Sequence, residues 1–409
     1  MFLDQYRRTN KNGVGRPQLV GPLFALVMLA TFSYFISVGA LQPTLPRFIE
    51  GPLGGSDVAV GVGIASFSLA AVLLRPFVGR ISDTYGRRIL IISGGLVVGG
   101  SSLALVWAST LPVLIVLRFL AGVGEAAFYV GCATIINDLA PDERRGEAFS
   151  YFSLALFGGL AVGPIIGETM LEHFGYNAAW QIVAWTSVLA SLVGLRLPET
   201  RPAVESDAAV KRRRIIHPAG LLPGTVLASA ILGLAGFSTF VPLYALEIGL
   251  DGSRLVFALS SVLIFSIRLL GARIPDLLGA RKAGRIALLT NTSGFLVMAL
   301  WATPAGLYLG TALFAVGQSL VFPALMSLAI GNAPPTERGA VVGTFTAFFD
   351  LAFGIGALTL GWVASQFGYN GVFMGAAISA ALGLGALQMA TKSRTASMAA
   401  SEPVEATEG

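Results

Sequence analysis

The chain alternates long apolar runs with polar breaks, and the runs are of similar length. Twelve apolar segments can be drawn, at about 20–42, 58–78, 89–108, 112–136, 147–170 and 179–197, then 219–246, 253–271, 285–303, 305–330, 340–364 and 371–391. At 1.5 Å per helical residue, each is long enough to cross about 30 Å of hydrocarbon. The pattern predicts an all-α membrane protein with twelve transmembrane helices. The polar breaks divide it into a tail over 1–19, a six-helix bundle over 20–197, a linker over 198–218, a second six-helix bundle over 219–391 and a tail over 392–409. The last tail, rich in Ala, Ser, Thr and Glu, is expected to be disordered. The first tail is polar and has no small-residue cleavage site after a short apolar core, so the first span is expected to direct insertion itself.

Composition supports the membrane assignment. Hydrophobic residues make up 55% and charged residues 12%, where a soluble domain carries roughly 25% charged. The 50 glycines suit closely packed transmembrane helices. A single cysteine, Cys132, excludes a disulfide framework and a cysteine metal cluster. The two histidines, His173 and His217, fall in predicted loops. No HExxH or GxxxxGK string occurs, so neither metal-dependent hydrolysis nor nucleotide-driven work is expected, and no metal or cofactor.

The net charge of +5 would fit a nucleic-acid binder, but its distribution argues against that. With both termini in the cytoplasm, 22 of the 27 basic residues fall on that side. Arg47 and Arg254 face the other side, and Arg75, Arg118 and Arg268 lie within or at the edges of spans. The basic charge therefore reports orientation.

Several signatures recur 193 residues apart. FGYN occurs at Phe174–Asn177 and at Phe367–Asn370; Gly124 matches Gly317, Pro141 matches Pro334, and Arg145-Gly146 matches Arg338-Gly339. Arg75 and Asp83 align with Arg268 and Asp276, and Glu125 with Gln318. Repetition at one offset indicates duplication.

Between the second and third spans runs GRISDTYGRR, Gly79 to Arg88. Gly79, Asp83, Gly86, Arg87 and Arg88 match the motif that joins helices 2 and 3 in the major facilitator superfamily; Thr84 departs from it. The chain resembles that superfamily from about residue 20 to 391. The resemblance implies two six-helix halves around one midplane substrate site. It also implies that Asp83 meets the N-terminus of the eleventh helix, near Ala340, and latches the cytoplasmic side, with Arg75 counted among the gate residues. The alternative is that this stretch only sets loop topology.

The fourth span carries Arg118, Gly122, Gly124 and Glu125, resembling the superfamily's fourth-helix motif. Arg118 and Glu125 share a helix face but lie roughly 10.5 Å apart along the axis. A charge at mid-depth costs roughly 3 kcal/mol, so each is expected to face a cavity or a partner. Burial favours the neutral form of a carboxyl, which suits a proton carrier. Glu125 is the expected proton-coupling group, tuned by Arg118; a structural ion pair is the alternative. Asp350, inside the eleventh span, is a second proton or cation site, or pairs with Arg268 or another polar group.

Gly159, Gly163 and Gly167 recur every four residues in the fifth span, with Pro164 beside them. They predict one smooth face for close helix contact and a bend. The stretch partly resembles the fifth-helix motif of proton-coupled antiporters, with Ser150 and Glu168 as departures. Phe32, Tyr34, Phe35, Phe237, Phe240 and Tyr244 are candidate cavity aromatics.

The expected function is proton-coupled efflux of a small, partly apolar compound across a bacterial cytoplasmic membrane by a monomer. A symporter importing a sugar or organic acid, and a non-transporting receptor or scaffold, stand as alternatives. The expected partners are a small-molecule substrate, protons and the lipid bilayer, without nucleic acid.

Overall fold

The computed structural model describes residues 21–140, 144–200, 217–270, 277–331 and 338–400. The side chains of a few helical positions inside these ranges, Asp83 among them, lie outside the description. Every regular element described is helical. α1 spans Pro22–Glu50, α2 Asp57–Tyr85, α3 Arg87–Ala104 and α4 Leu111–Leu139. α7 spans Pro218–Glu247, α8 Arg254–Leu270, α9 Ala280–Leu300 and α10 Pro304–Gly331.

Two longer helical runs, Arg145–Gly194 and Arg338–Ala400, are each broken at one glycine. Gly175 has φ 78° and ψ −177°, and Gly368 has φ 67° and ψ −175°. An L side chain strains at such positive φ, whereas glycine adopts it freely. These breaks define α5 (145–174) and α6 (176–194), then α11 (338–367) and α12 (369–400), which is consistent with twelve spans. Both glycines belong to the repeated FGYN string, so the duplication has kept the same turn in both halves. The pattern puts a polar loop between the fifth and sixth spans; helix instead runs up to the glycine on both sides.

Helix starts follow their capping chemistry. α1, α4 and α7 carry proline in the first turn, where a missing N–H costs nothing. α2 starts on Ser56, whose hydroxyl accepts from the Ala59 N–H at 3.4 Å, with Asp57 in its positive first turn. Nine continuous helical runs among the described residues are long and apolar enough to cross a membrane, the two glycine-broken runs each counted once. α8, with 17 described residues, covers about 26 Å. Helix continues to Ala400, over residues 392–400 that composition assigned to an irregular tail. Ala396, Ala399 and Ala400 are strong helix formers, and the helix carries on from α12. Most of the linker, 201–216, lies outside the described residues.

Small residues set the helix contacts. A Cβ at Gly124 would lie 2.7 Å from the Gly94 carbonyl oxygen, so α4 and α3 touch backbone to backbone. At the repeat-related position, a Cβ at Gly317 would lie 2.5 Å from the Ala287 oxygen, joining α10 to α9 in the same way. α2 crosses between the halves and lies antiparallel to α11, Gly361 facing Asp57 and Gly354 facing Ser68.

Four apolar cores result among the described residues, the smallest around Val78, Leu90 and Ala126. One joins both halves at the end away from the chain termini, bringing Leu45, Phe48 and Trp180 together with Phe240, Tyr244 and Phe373. Toward the terminal side each half keeps a core of its own, around Phe24, Phe128 and Phe152 in the first. The second half's core holds Leu227, Val321 and Phe345.

Candidate functional site

The charged centre forms where α2 is held between α4 and α11. Arg75 on α2 places Nη2 3.3 Å from Glu125 Oε1 and 3.5 Å from Oε2. Its Nη1 forms an ion pair with Asp350 Oδ2 on α11. Tyr129, one helical turn after Glu125, lies under the guanidinium, 4.9 Å from Cζ to ring centroid. The Glu125 side chain is 9% exposed and that of Asp350 15%, so both carboxylates depend on this one arginine rather than on water. One guanidinium thus links a carboxylate of the first half to one of the second.

One expectation changes here. Arg75 belongs to this centre rather than to the loop gate with which the motif groups it. Arg118 stays apart from Glu125, as the rise along α4 implies, and the ion partner of Glu125 is Arg75. Arg118 is buried with Cζ 4.5 Å above the Phe67 ring and forms no ion pair among the described residues. Asp350 meets Arg75 rather than Arg268. Arg268 on α8 sits with Cζ 3.8 Å from the Phe157 ring of α5, and its Nη2 reaches only the Gln318 carbonyl at 3.5 Å.

At the α2–α3 turn the arginines are held within the first half. The Arg87 and Arg88 backbone N–H groups donate to Glu199 at 2.9 and 3.2 Å, so that carboxylate caps α3. Arg87 is buried, donates to the Ser82 carbonyl at 3.2 Å and lies 3.3 Å from Asp138. Arg88 donates to the Leu195 carbonyl at 2.6 Å. Glu199 and Asp138 were missed from sequence, although a helix starting on two arginines calls for a nearby anion. Gly86 caps the turn. The latch assigned to Asp83, and the side chains around Gly79 and Ala340, lie outside the described residues.

α5 lies parallel to α1 along its glycine face. A Cβ at Gly159 would lie 2.6 Å from the Phe32 oxygen, and one at Gly163 would lie 2.6 Å from the Ile36 oxygen. Gly167 meets Ala40, and Pro164 packs against Gly39. One turn on, Glu168 is fully buried. It pairs with Arg47 of α1 and accepts from the Ser253 N–H and hydroxyl at 2.8 and 3.0 Å. Glu172 pairs with Arg254 at 3.1 Å, and the Tyr369 hydroxyl donates to Asp57 at 3.2 Å. These contacts close the far end of the bundle across the two halves.

The candidate aromatics are largely core. Tyr34 stacks on Phe128 at 4.0 Å, with Phe35 edge-on to it at 5.3 Å. Phe237 stacks on Phe314 at 4.5 Å, Phe240 faces Tyr369, and the Tyr244 hydroxyl donates to the Met298 carbonyl at 2.8 Å. All five are buried, which corrects their reading as cavity lining. Phe32 is partly exposed and packs beside Gly158. Tyr34 lies within the electrostatic reach of Glu125, Arg118 and Arg75.

The profile of the Major Facilitator Superfamily matches residues 27–304 and 255–406. The uncharacterized MFS-type transporter STM4428 of Salmonella typhimurium is 30% identical over 373 residues, covering 87% of this chain and 93% of its own. Among solved structures, a bacterial homolog of the human lysosomal transporter Spinster, inward-facing and occupied, aligns with TM-score 0.76 at 14% identity, over 90% of this chain and 96% of its own. A POT family transporter in complex with a thioalcohol-conjugated peptide aligns with TM-score 0.76 at 14% identity, over 93% and 97%. At these identities the solved structures speak for the fold alone, while the profile and the Salmonella relative speak for descent. The chain is a multi-pass membrane transporter of the Major Facilitator Superfamily, and not an enzyme.

Proposed function

We propose that this transporter is proton-coupled and exports a small, partly apolar compound across a bacterial cytoplasmic membrane by alternating access. The observation that carries this reading is the sharing of Arg75 between Glu125 and Asp350. Two carboxylates with one arginine leave one negative charge in excess, and a proton removes it. The proton is assigned to the pair rather than to either residue, because both carboxylates share the same guanidinium. Protonation frees Arg75 from one partner. When that partner is Asp350, the link between the halves opens, and Arg75 rests on Glu125 within the first half.

The contacts at the far end support a resting state closed on that side, with separate cores toward the terminal side. The basic residues around the termini and linker support a cytoplasmic terminal side. The tight α1–α5 face supports antiport over symport through its partial likeness to the antiporter motif. The test uses proteoliposomes with an imposed pH gradient and a panel of small amphipathic compounds. Wild-type protein concentrates a compound against its gradient, and Glu125→Gln and Asp350→Asn equilibrate it without concentrating it. Uphill transport surviving both substitutions refutes the coupling.

A further inference from the structure

The two halves repeat the arginine centre but not its acids. Arg75 and Arg268 occupy the same repeat position, 193 residues apart. At the same offset, the two partners of Arg75 have counterparts around Arg268: Glu125 corresponds to Gln318, and Asp350 to Phe157. The structure keeps the arrangement. Arg75 touches Glu125 on the fourth helix of its own half and Asp350 on the fifth helix of the other half. Arg268 touches Gln318 on the corresponding helix of its own half and Phe157 on the corresponding helix of the other. Both carboxylates are replaced by neutral residues, and the arginine remains.

A charge count places the imbalance. At the first centre one arginine, Arg75, meets two carboxylates, Glu125 and Asp350. At the second centre Arg268 meets none, and it forms no ion pair among the described residues. Its Nε has no hydrogen-bond partner, its Nη2 reaches a carbonyl only at 3.5 Å, and its plane lies against an aromatic ring. A guanidinium presents a fork of donors matched to a carboxylate, and charge at this depth is unfavourable without an opposite charge. The position is also well placed for a ligand: Arg268 lies between α5 and α8, the interface of the two halves, about 21 Å along α8 from its far-side end.

We propose that Arg268 anchors the carboxylate of a monoanionic substrate with an apolar body, and that this carboxylate takes the place Glu125 and Asp350 hold beside Arg75. Phe157 supplies an apolar surface next to the charge. The assignment of a transported substrate rests on the proposed transport reading and adds its chemical class. The binding step itself requires no proton gradient.

The test therefore measures binding in the full chain, reconstituted in lipid nanodiscs without a gradient. The probes are phenylacetate, benzoate and octanoate, each set against its uncharged amide, with thermal unfolding followed by intrinsic fluorescence. At least one carboxylate raises the wild-type midpoint by several degrees at millimolar concentration, and its amide does not. Arg268→Gln removes the shift, and Arg268→Lys keeps part of it. Gln318→Glu supplies an internal carboxylate; it raises the midpoint of the free protein and removes the response to the probe, so it decides the matter even where Arg268→Gln folds poorly. Glu125→Gln keeps the shift while losing uphill transport, which separates anion binding from proton coupling. No shift with any of the three carboxylates, equal shifts with carboxylate and amide, or a full shift in Arg268→Gln or Gln318→Glu overturns the assignment.

Discussion

Gly163→Ala puts a methyl group where α1 and α5 are in backbone contact. The new Cβ would lie 2.6 Å from the Ile36 oxygen, 2.7 Å from the Ala40 nitrogen and 2.7 Å from the Gly39 Cα. Ordinary contact begins near 3.4 Å, so the helices must part by about 0.8 Å, and the neighbours are backbone atoms that cannot rotate away. Overpacking of this kind costs about 1–3 kcal/mol. Gly100 on α3 is the control, because a Cβ there meets no atom within 4 Å. Gly100→Ala gains helix propensity of up to about 1 kcal/mol. The account predicts a lower unfolding midpoint for Gly163→Ala and an unchanged or higher one for Gly100→Ala, read by intrinsic fluorescence on the reconstituted protein. Adding Gly167→Ala to Gly163→Ala costs less than its single effect, since the helices have already separated. A Gly163→Ala midpoint equal to that of Gly100→Ala refutes the tight α1–α5 contact.

Three further outcomes follow from particular contacts. Glu168→Ala leaves Arg47 buried without its ion partner and the Ser253 N–H without its acceptor, so stability falls by about 3 kcal/mol in thermal unfolding; no change would show that this far-side contact carries no stability. Glu199→Ala removes the cap on α3 at a cost of about 1 kcal/mol and speeds amide exchange at Arg87 and Arg88, whereas unaltered exchange contradicts the capping role. Gly163→Leu abolishes transport more fully than a substitution at exposed Leu189 on α6, and equal transport by the two would count against a functional role for the α1–α5 face.

Much of the architecture is written in local pattern. Span length and apolar content mark the helices, and the recurring FGYN string marks the two glycine turns, because a positive φ places its demand on one residue. The close helix faces were also visible, since glycines every fourth residue on a helix leave one side bare. The pairing of charges was not. Arg75 and Asp350 are 275 positions apart in the chain, and no local spacing reports a contact between the two halves. Helix periodicity drew attention to Arg118 and Glu125 because they share a face, but a shared face at a rise of about 10.5 Å is not contact. Glu168 was legible only as a departure from the fifth-helix motif; the Ser253 donors and Arg47 that bury it come from other parts of the chain. The aromatics at α1 and α7 were undecidable from sequence, because packing and lining positions have the same composition. The offset of 193 carried more than was read from it, for it maps Asp350 onto Phe157 and so exposes Arg268 as the centre stripped of both acids.

The central claim is that a proton on the Glu125–Asp350 pair loosens the Arg75 link between the halves. It is tested most directly by the distance between the two terminal-side ends as pH changes. Spin labels on Arg196→Cys and Gly331→Cys, with buried Cys132 replaced by serine, report that distance by double electron–electron resonance in nanodiscs. The account predicts a short distance at high pH, a longer one as pH falls, and the long distance at all pH values in Asp350→Asn. A distribution that ignores pH in the wild type, or an Asp350→Asn variant that still responds as the wild type does, contradicts it.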